Sequence, residues 1–414
     1  MNRQINPKTI ETKALASGKI VRPGKWQRPP EPRALCCPVK PPARAVLAIA
    51  CCLSVPAGAQ GPALAAVLAG VRKAHDLPAL ACVVFRGGSV LEEAAVGVRK
   101  AGDPAAVTLD DRFHVGSITK SMTATLAALL VRDGTIRWGS STQEVLGSSI
   151  PGIHPDYRGI TLRQWLQHRG GAPHDPPPPL WSELWKRGDQ PAAANREWFV
   201  GEVLRERPAQ PAGTFTYSNT GYMVAGLMLE KAAGRPWEEL MRSRVFRPLG
   251  LRSAGFGPAG QAGTPDQPWG HRQGRPVPPG PEADNPPALG PAGTVHCSIR
   301  DLARYAAFHL REGQGQPGLL DESAFAELHR PPPGDPANPQ AMGWLRVPRP
   351  WAGGDALTHN GSNTMNFAVV WIAPQRDFGL VVATNQGGAD AEKALDEVAT
   401  AMVGKYCGRQ QGQE

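Results

Sequence analysis

The chain has 414 residues, of which 41% are apolar and 20% charged, a globular balance that excludes a disordered polyelectrolyte. Its formal charge of +9 sits at one end: residues 1–59 hold ten Lys/Arg against two Asp/Glu, and the remaining 355 residues hold 35 against 34. A near-neutral body lacks the clustered positive charge that a phosphate backbone demands, so composition argues against a nucleic-acid partner. With 47 Gly and 43 Pro, turn-rich loops must separate the packed elements.

Residues 1–38 are polar, basic and Pro-interrupted, and we read them as a disordered leader or as translation upstream of a native start near Val39. Residues 39–59 have the layout of a signal peptide: Lys40 and Arg44, the eleven-residue apolar run 45–55, and Ala57-Gly58-Ala59 as a small-x-small cleavage site. Eleven residues span roughly 16 Å as a helix, about half a bilayer core, so no stable membrane anchor is expected. The alternative for this run is a buried N-terminal helix. The body, 60–414, is expected to be periplasmic or secreted. It retains Cys82, Cys297 and Cys407, an odd number far apart in sequence, where buried free thiols are expected.

In chain order, spacing predicts a helix over 62–75, then a hairpin of strands 79–85 and 90–98 around Gly87-Gly88. An apolar helix follows over 117–131, a short helix over 161–168 halted at Gly170-Gly171, an apolar helix over 222–233 and a further helical stretch over 237–246. Residues 257–293 carry ten prolines and no periodicity, and read as a long loop. A helix is expected over 299–312, strands over 366–373 and 378–384, and a closing amphipathic helix over 389–403. Strands at both ends and helices between them imply an α/β (α+β) fold. One antiparallel sheet from both chain ends (about 60–112 and 290–405), flanked by helices, would carry an inserted, mainly helical lobe (about 113–289). A small-molecule site is expected in the cleft between the two lobes.

Three short patterns carry chemistry. In Gly116-Ser117-Ile118-Thr119-Lys120, Ser117 opens the apolar helix and Lys120 lies one turn on, on the same face. A serine hydroxyl needs a base to become a nucleophile, and a neutral lysine amine can serve. A helix N-terminus also offers free N–H groups to an oxyanion. The bland reading of the same residues is an N-cap and a solvated first-turn lysine. In Tyr217-Ser218-Asn219, a phenol and an amide two residues apart precede the next apolar helix; they either face a cleft or pack at the helix foot with Asn219 as its cap. The third pattern, His359-Asn360-Gly361, lies just before the last two strands. Similar triplets at His168–Gly170 and Lys186–Gly188 make it weak alone, and only its place in the order favours it. His114, His271 and His296 have no metal-ligand spacing, so neither a metal nor another cofactor is expected.

Together and in this order, the three patterns resemble those of the serine beta-lactamase and penicillin-binding-protein superfamily, in the branch of class C beta-lactamases, D-alanyl-D-alanine carboxypeptidases and related esterases and D-aminopeptidases. The stretches Ile160–Gly171, Arg247–Leu251 and Pro291–Ala303 are similar to family segments as well. The resemblance implies an acylated nucleophile at Ser117, with Lys120 and Tyr217 sharing the proton transfers. It further implies that Asn219 binds the substrate amide, that His359 and Gly361 line the opposite strand edge, and that the backbone N–H groups of Ser117 and Ser362 form an oxyanion hole. His168 matches a structural position.

His-Asn-Gly departs from the Lys-Thr-Gly of class C beta-lactamases, removing a fixed cation and a hydroxyl from the site of a substrate carboxylate. The expected substrates are therefore small esters, ranked slightly first, or peptides ending in D-alanine, with beta-lactams below both. A non-hydrolytic penicillin or peptidoglycan receptor is the rival from another class.

Overall fold

The computed structural model describes residues 63–312 and 319–408; the leader readings for 1–38 and 39–59 lie outside them. In chain order the strands are β1 (Ala79–Arg86), β2 (Ser89–Gly97), β3 (Arg112–His114), β4 (Gly255–Phe256), β5 (Gly270–Arg272), β6 (Arg275–Val277), β7 (Val295–Ser298), β8 (Leu345–Arg349), β9 (Gly354–Ser362), β10 (Phe367–Ala373) and β11 (Phe378–Thr384). Six of them form the main sheet, in the order β2-β1-β11-β10-β9-β8, with every pairing antiparallel. The N-terminal hairpin docks on the C-terminal one through β1 and β11, Val83 facing Val381. This is the sheet from both chain ends that the sequence implied.

Both faces of the sheet are buried at its central strands β1, β11 and β10. Leu80, Cys82 and Val84 of β1 pack with the terminal helices Leu64–Ala74 and Ala389–Cys407. Ala81, Val83 and Phe85 turn to the core shared with the inserted helices. Strand runs that are apolar at every position, rather than alternating, follow from burial on two sides. Among the described residues no helix is long and apolar enough to cross a membrane. Cys82 and Cys297 are buried free thiols and Cys407 is a half-buried one.

The helix Thr119–Arg132 runs through the centre, buried from Thr119 to Leu130. Its small polar residues are absorbed internally: Thr123 donates to the Pro291 carbonyl at 2.8 Å, and the Tyr305 hydroxyl donates to Ser121 Oγ at 3.0 Å. The helix Asn219–Ala233 packs beside it and ends at Gly234 in the left-handed conformation.

The structure adds elements that the sequence reading left unassigned, among them β3, β4, β7 and the helices Pro178–Lys186, Ala192–Arg205 and Glu322–Leu328, and it differs from that reading in three further places. Residues 257–293, read as loop, contain β5, β6 and the short helical turns Pro281–Ala283, Pro287–Leu289 and Gly290–Gly293. Proline density erased their periodicity. Strands β8 and β9 were not anticipated either: β8 lies at the sheet edge with exposed arginines, and β9 is interrupted by polar residues that serve the cleft. The stretch 237–246 is a short helix followed by the wider turn Met241–Phe246.

The turn Gly290–Gly293 lies directly on the helix at Gly226, where an added Cβ would fall 2.2 Å from Pro291 Cγ. Replacing this glycine forces the turn away, and overpacking of this kind costs about 1–3 kcal/mol. We expect Gly226→Ala to lower the unfolding free energy obtained from urea titration by that amount. Gly404→Ala, in an exposed helical position with nothing within 4 Å, should raise it by about 0.5 kcal/mol. Midpoint shifts of the same sign in the two variants would contradict this packing.

Candidate active site

The chain reaches Ser117 through β3 and a tight turn, Gly116–Ile118, that precedes the central helix. Ser117 is thus one turn ahead of the regular helix rather than its first residue. Gly116 has φ +51, and its N–H donates to His114 Nδ1 at 3.1 Å. The end of β9 crosses this turn in backbone contact. A Cβ on Gly116 would lie 2.3 Å from the Ser362 nitrogen, and one on Gly361 would lie 2.5 Å from the Ser117 nitrogen. Only glycine at both positions permits the crossing, which gathers the Ser117 and Ser362 amides at one point.

Lys120 is fully buried, with Nζ 3.0 Å from Ser117 Oγ, 2.6 Å from Asn219 Oδ1 and 2.7 Å from the Ala292 carbonyl. Desolvation holds its pKa below the ordinary lysine value, against the opposing pull of the Tyr217 phenol and Asp175. A neutral amine has two N–H groups and one lone pair. In that neutral form the two carbonyl oxygens would accept the N–H groups and leave the lone pair for the Ser117 hydroxyl proton.

Ser218, not Asn219, caps the following helix, its Oγ accepting from the Gly221 N–H at 2.8 Å. Asn219 is therefore free to turn inward, where its amide lies between a donor and an acceptor: Oδ1 accepts from Lys120, and Nδ2 donates to Asp175 Oδ1 at 2.6 Å. These opposed partners fix the orientation of the amide. Tyr217 stacks on His168, ring centroids 4.4 Å apart, and its ring lies 4.9 Å from Lys120 Nζ. His168, with φ +60, accepts from the Ser218 N–H through Nδ1 at 2.9 Å and so holds the Tyr217 segment in place.

His359 lies on β9 itself, opposite Val370 of β10, rather than ahead of the strands. It is buried, and Nδ1 meets the Asn360 carbonyl at 2.5 Å; the carbonyl can only accept, so the proton is on Nδ1 and Nε2 is an acceptor. Burial, with Lys120 adding to it, pushes its pKa down to about 4. It supplies no cation at neutral pH. Ser362 Oγ donates to the Asn366 carbonyl at 2.7 Å, which pins the β9–β10 turn.

The structure thus brings Ser117, Lys120, Tyr217, Asn219, His359, Gly361 and Ser362 to one cleft. Two cavities flank Ser117 there. One, of about 740 Å³, is lined by Tyr217, His359 and Arg349; the other, of about 530 Å³, by Asn219, Asp175 and Trp181. Sequence reasoning missed Asp175, the sole acid of the Pro-rich stretch 173–179, and the Ala292 carbonyl, which no side-chain pattern reveals.

A two-sided sheet carrying a serine–lysine pair and a tyrosine on an inserted helical lobe defines a class, and comparison with known proteins identifies it. A family model described as Beta-lactamase matches residues 64–404, and the chain belongs to that family. Penicillin-binding protein 4 of Amycolatopsis lactamdurans is 28% identical over 360 residues, covering 82% of this chain and 88% of the relative. Unguisins hydrolase ungD' of Aspergillus campestris is 25% identical over 295 residues, 67% of this chain and 53% of the relative. Among solved structures, a class C beta lactamase from Rhodobacter sphaeroides superposes with TM-score 0.64 at 22% identity, covering 82% of this chain and 99% of that one. A D-stereospecific amidohydrolase from Streptomyces sp. does so with TM-score 0.64 at 22% identity, covering 84% and 100%. At such identities these two structures show the shared fold.

Burial shifts the histidines together. His296 and His359 are pushed down to about 4 and His329 to about 3, while His168 and His309 are held well below the ordinary value. The unfolded chain takes up these protons near pH 6.5, the folded one only at the lower values. Their contribution to stability is complete above about pH 6.5 and is lost as pH falls toward 4. Calorimetry should show the melting temperature falling steadily between pH 6.5 and 4; a flat profile over that range would refute the buried neutral histidines.

Proposed function

We propose that the chain is a serine hydrolase that works through an acyl-enzyme on small esters or amides, those of D-amino acids included. The observation that carries this reading is the buried Lys120 amine, with Nζ held by two carbonyl oxygens and Ser117 Oγ 3.0 Å away. In the proposed cycle, Ser117 Oγ attacks the substrate carbonyl carbon as its proton passes to Lys120 Nζ. The backbone N–H groups of Ser117 and Ser362 stabilise the oxyanion. The proton then moves through Tyr217 to the leaving oxygen or nitrogen as the carbonyl–leaving-group bond breaks. Water repeats the sequence against the acyl-enzyme and restores Ser117. Asn219 orients the substrate amide with the N–H that Asp175 does not use. The leader read over 39–59 extends the proposal to an exported enzyme.

Substrate class rests on two supports. Relatives described as a D-stereospecific amidohydrolase and as SurE with D-Leu favour amides and esters of D-residues. The neutral His359 disfavours substrates that need a cation at that strand, beta-lactams among them. The name of the relative Penicillin-binding protein 4 favours a second reading, a receptor that is acylated by penicillin and does not turn over.

Intact-protein mass spectrometry with p-nitrophenyl acetate and benzylpenicillin separates the two. The hydrolase gives a short-lived adduct on Ser117, the receptor a persistent one. Ser117→Ala should abolish both adduct and turnover while the fold is retained. Lys120→Ala and Tyr217→Phe should each slow acylation by about 10²–10⁴-fold, the usual cost of lost acid–base assistance. Wild-type turnover by Ser117→Ala would overturn the assignment.

A further inference from the structure

The two cavities beside Ser117 differ in charge. The larger is lined by Arg349, Lys393, Glu392 and Asp396, equal numbers of either sign, and selects no net charge. The smaller contains Asp175 as the one ionised side chain among the described residues that line it, and its walls are otherwise apolar or neutral: Trp181, Pro176, Pro178 and Asn219. Tyr217 lines the larger cavity and not the smaller. In the proposed cycle Tyr217 hands the proton to the leaving group, which would place the leaving group in the larger cavity and the acyl part in the smaller.

Asp175 is tied to the nucleophile through a short chain. Ser117 Oγ lies 3.0 Å from Lys120 Nζ, Nζ lies 2.6 Å from Asn219 Oδ1, and Asn219 Nδ2 lies 2.6 Å from Asp175 Oδ1. The other carboxylate oxygen meets His174 Nδ1 at 2.8 Å. A carboxylate offers about four lone-pair sites, so roughly two remain, and the side chain is 62% exposed. The Trp181 indole lines the same cavity, an aromatic face of the kind that favours a cation. An ammonium group on the carbon next to the reacting carbonyl would meet an anion here, whereas an acylated nitrogen would turn a carbonyl oxygen toward that anion.

We propose that Asp175 is a specificity-determining residue that anchors a free ammonium group on the acyl part of the substrate. The preferred substrates are aminoacyl amides, esters and peptides with an unblocked amino end. This rests on the serine-hydrolase reading. It concerns the acyl side alone and leaves the leaving group open.

The test compares D-alanine p-nitroanilide with N-acetyl-D-alanine p-nitroanilide, which share a leaving group, with p-nitrophenyl acetate as a reference donor. Acylation of Ser117 is followed by quenched-flow mass spectrometry and turnover as kcat/KM. The wild type should favour the free amine by about tenfold or more, the scale of a charge-assisted hydrogen bond. The preference should fade as pH rises through about 8, where an α-ammonium loses its proton. Asp175→Asn should lower the ratio by about tenfold, and Asp175→Glu should restore part of it. Loss of the Asp175 charge also acts on Lys120, but that effect reaches both substrates equally and cancels in the ratio. A ratio that stays within about twofold in Asp175→Asn, or a wild type that prefers the acetylated substrate, overturns the inference. If p-nitrophenyl acetate still acylates Ser117 in that case, the hydrolase reading stands without it; if no donor acylates Ser117, both fall.

Discussion

The site depends on one constraint: a lysine amine with no access to water must find all its partners inside the protein. Lys120 does so only because three separate segments converge on it, namely the Ser117 turn, the start of the helix Asn219–Ala233 and the Ala292 carbonyl. Burial without partners would cost several kcal/mol and would favour an opened structure. Burial lowers the pKa of the amine, and in its neutral form, with two carbonyl acceptors engaged, the remaining lone pair faces a hydroxyl. Stability and reactivity are thus the same arrangement seen from two sides.

Much of the surrounding fold brings those partners into reach. The turn Gly290–Gly293 carries Ala292 to Lys120, because Gly226 lets it lie against one helix and the Thr123 hydroxyl holds the Pro291 carbonyl from the other. Farther back, the buried Arg196 binds Glu230, Glu238 and the Ala288 carbonyl, joining three helical segments to the Pro-rich stretch that leads into the turn. Burial raises the pKa of Glu230 and Arg196 opposes it, so the cluster is a mutual neutralisation rather than a surface ion pair.

The sheet contributes through a single crossing, where β9 and the Ser117 turn touch backbone to backbone at Gly361 and Gly116. Any side chain at that point would part the two amides. His359, two residues back on β9, is desolvated by the same close packing, and so it presents a neutral acceptor to the cleft. Beside these neutral groups, Asp175 is the contrasting element, an exposed charge at one end of an otherwise uncharged cavity. Membership of the Beta-lactamase family fits this frame: the fold brings a serine, a lysine and a tyrosine together, and the cleft walls set what approaches them.

The parts of this protein that were legible in its sequence are those set by near neighbours along the chain. Ser117 and Lys120 share a helical turn, so their contact follows from a spacing of three. The strands of β1, β10 and β11 follow from β-branched and apolar runs that no other element would bury. The parts decided only by tertiary structure join residues far apart: Asn219 with Lys120, Asp175 with Asn219, Ala292 with Lys120. His359 likewise reads as a residue beside a strand until β10 pairs with β9 and buries it. Proline density in 257–293 hid small elements that fold only against their surroundings. A single residue's chemistry and its local geometry travel with the sequence. Its protonation state and its partners do not, because desolvation and contact between distant segments exist only once the chain has packed.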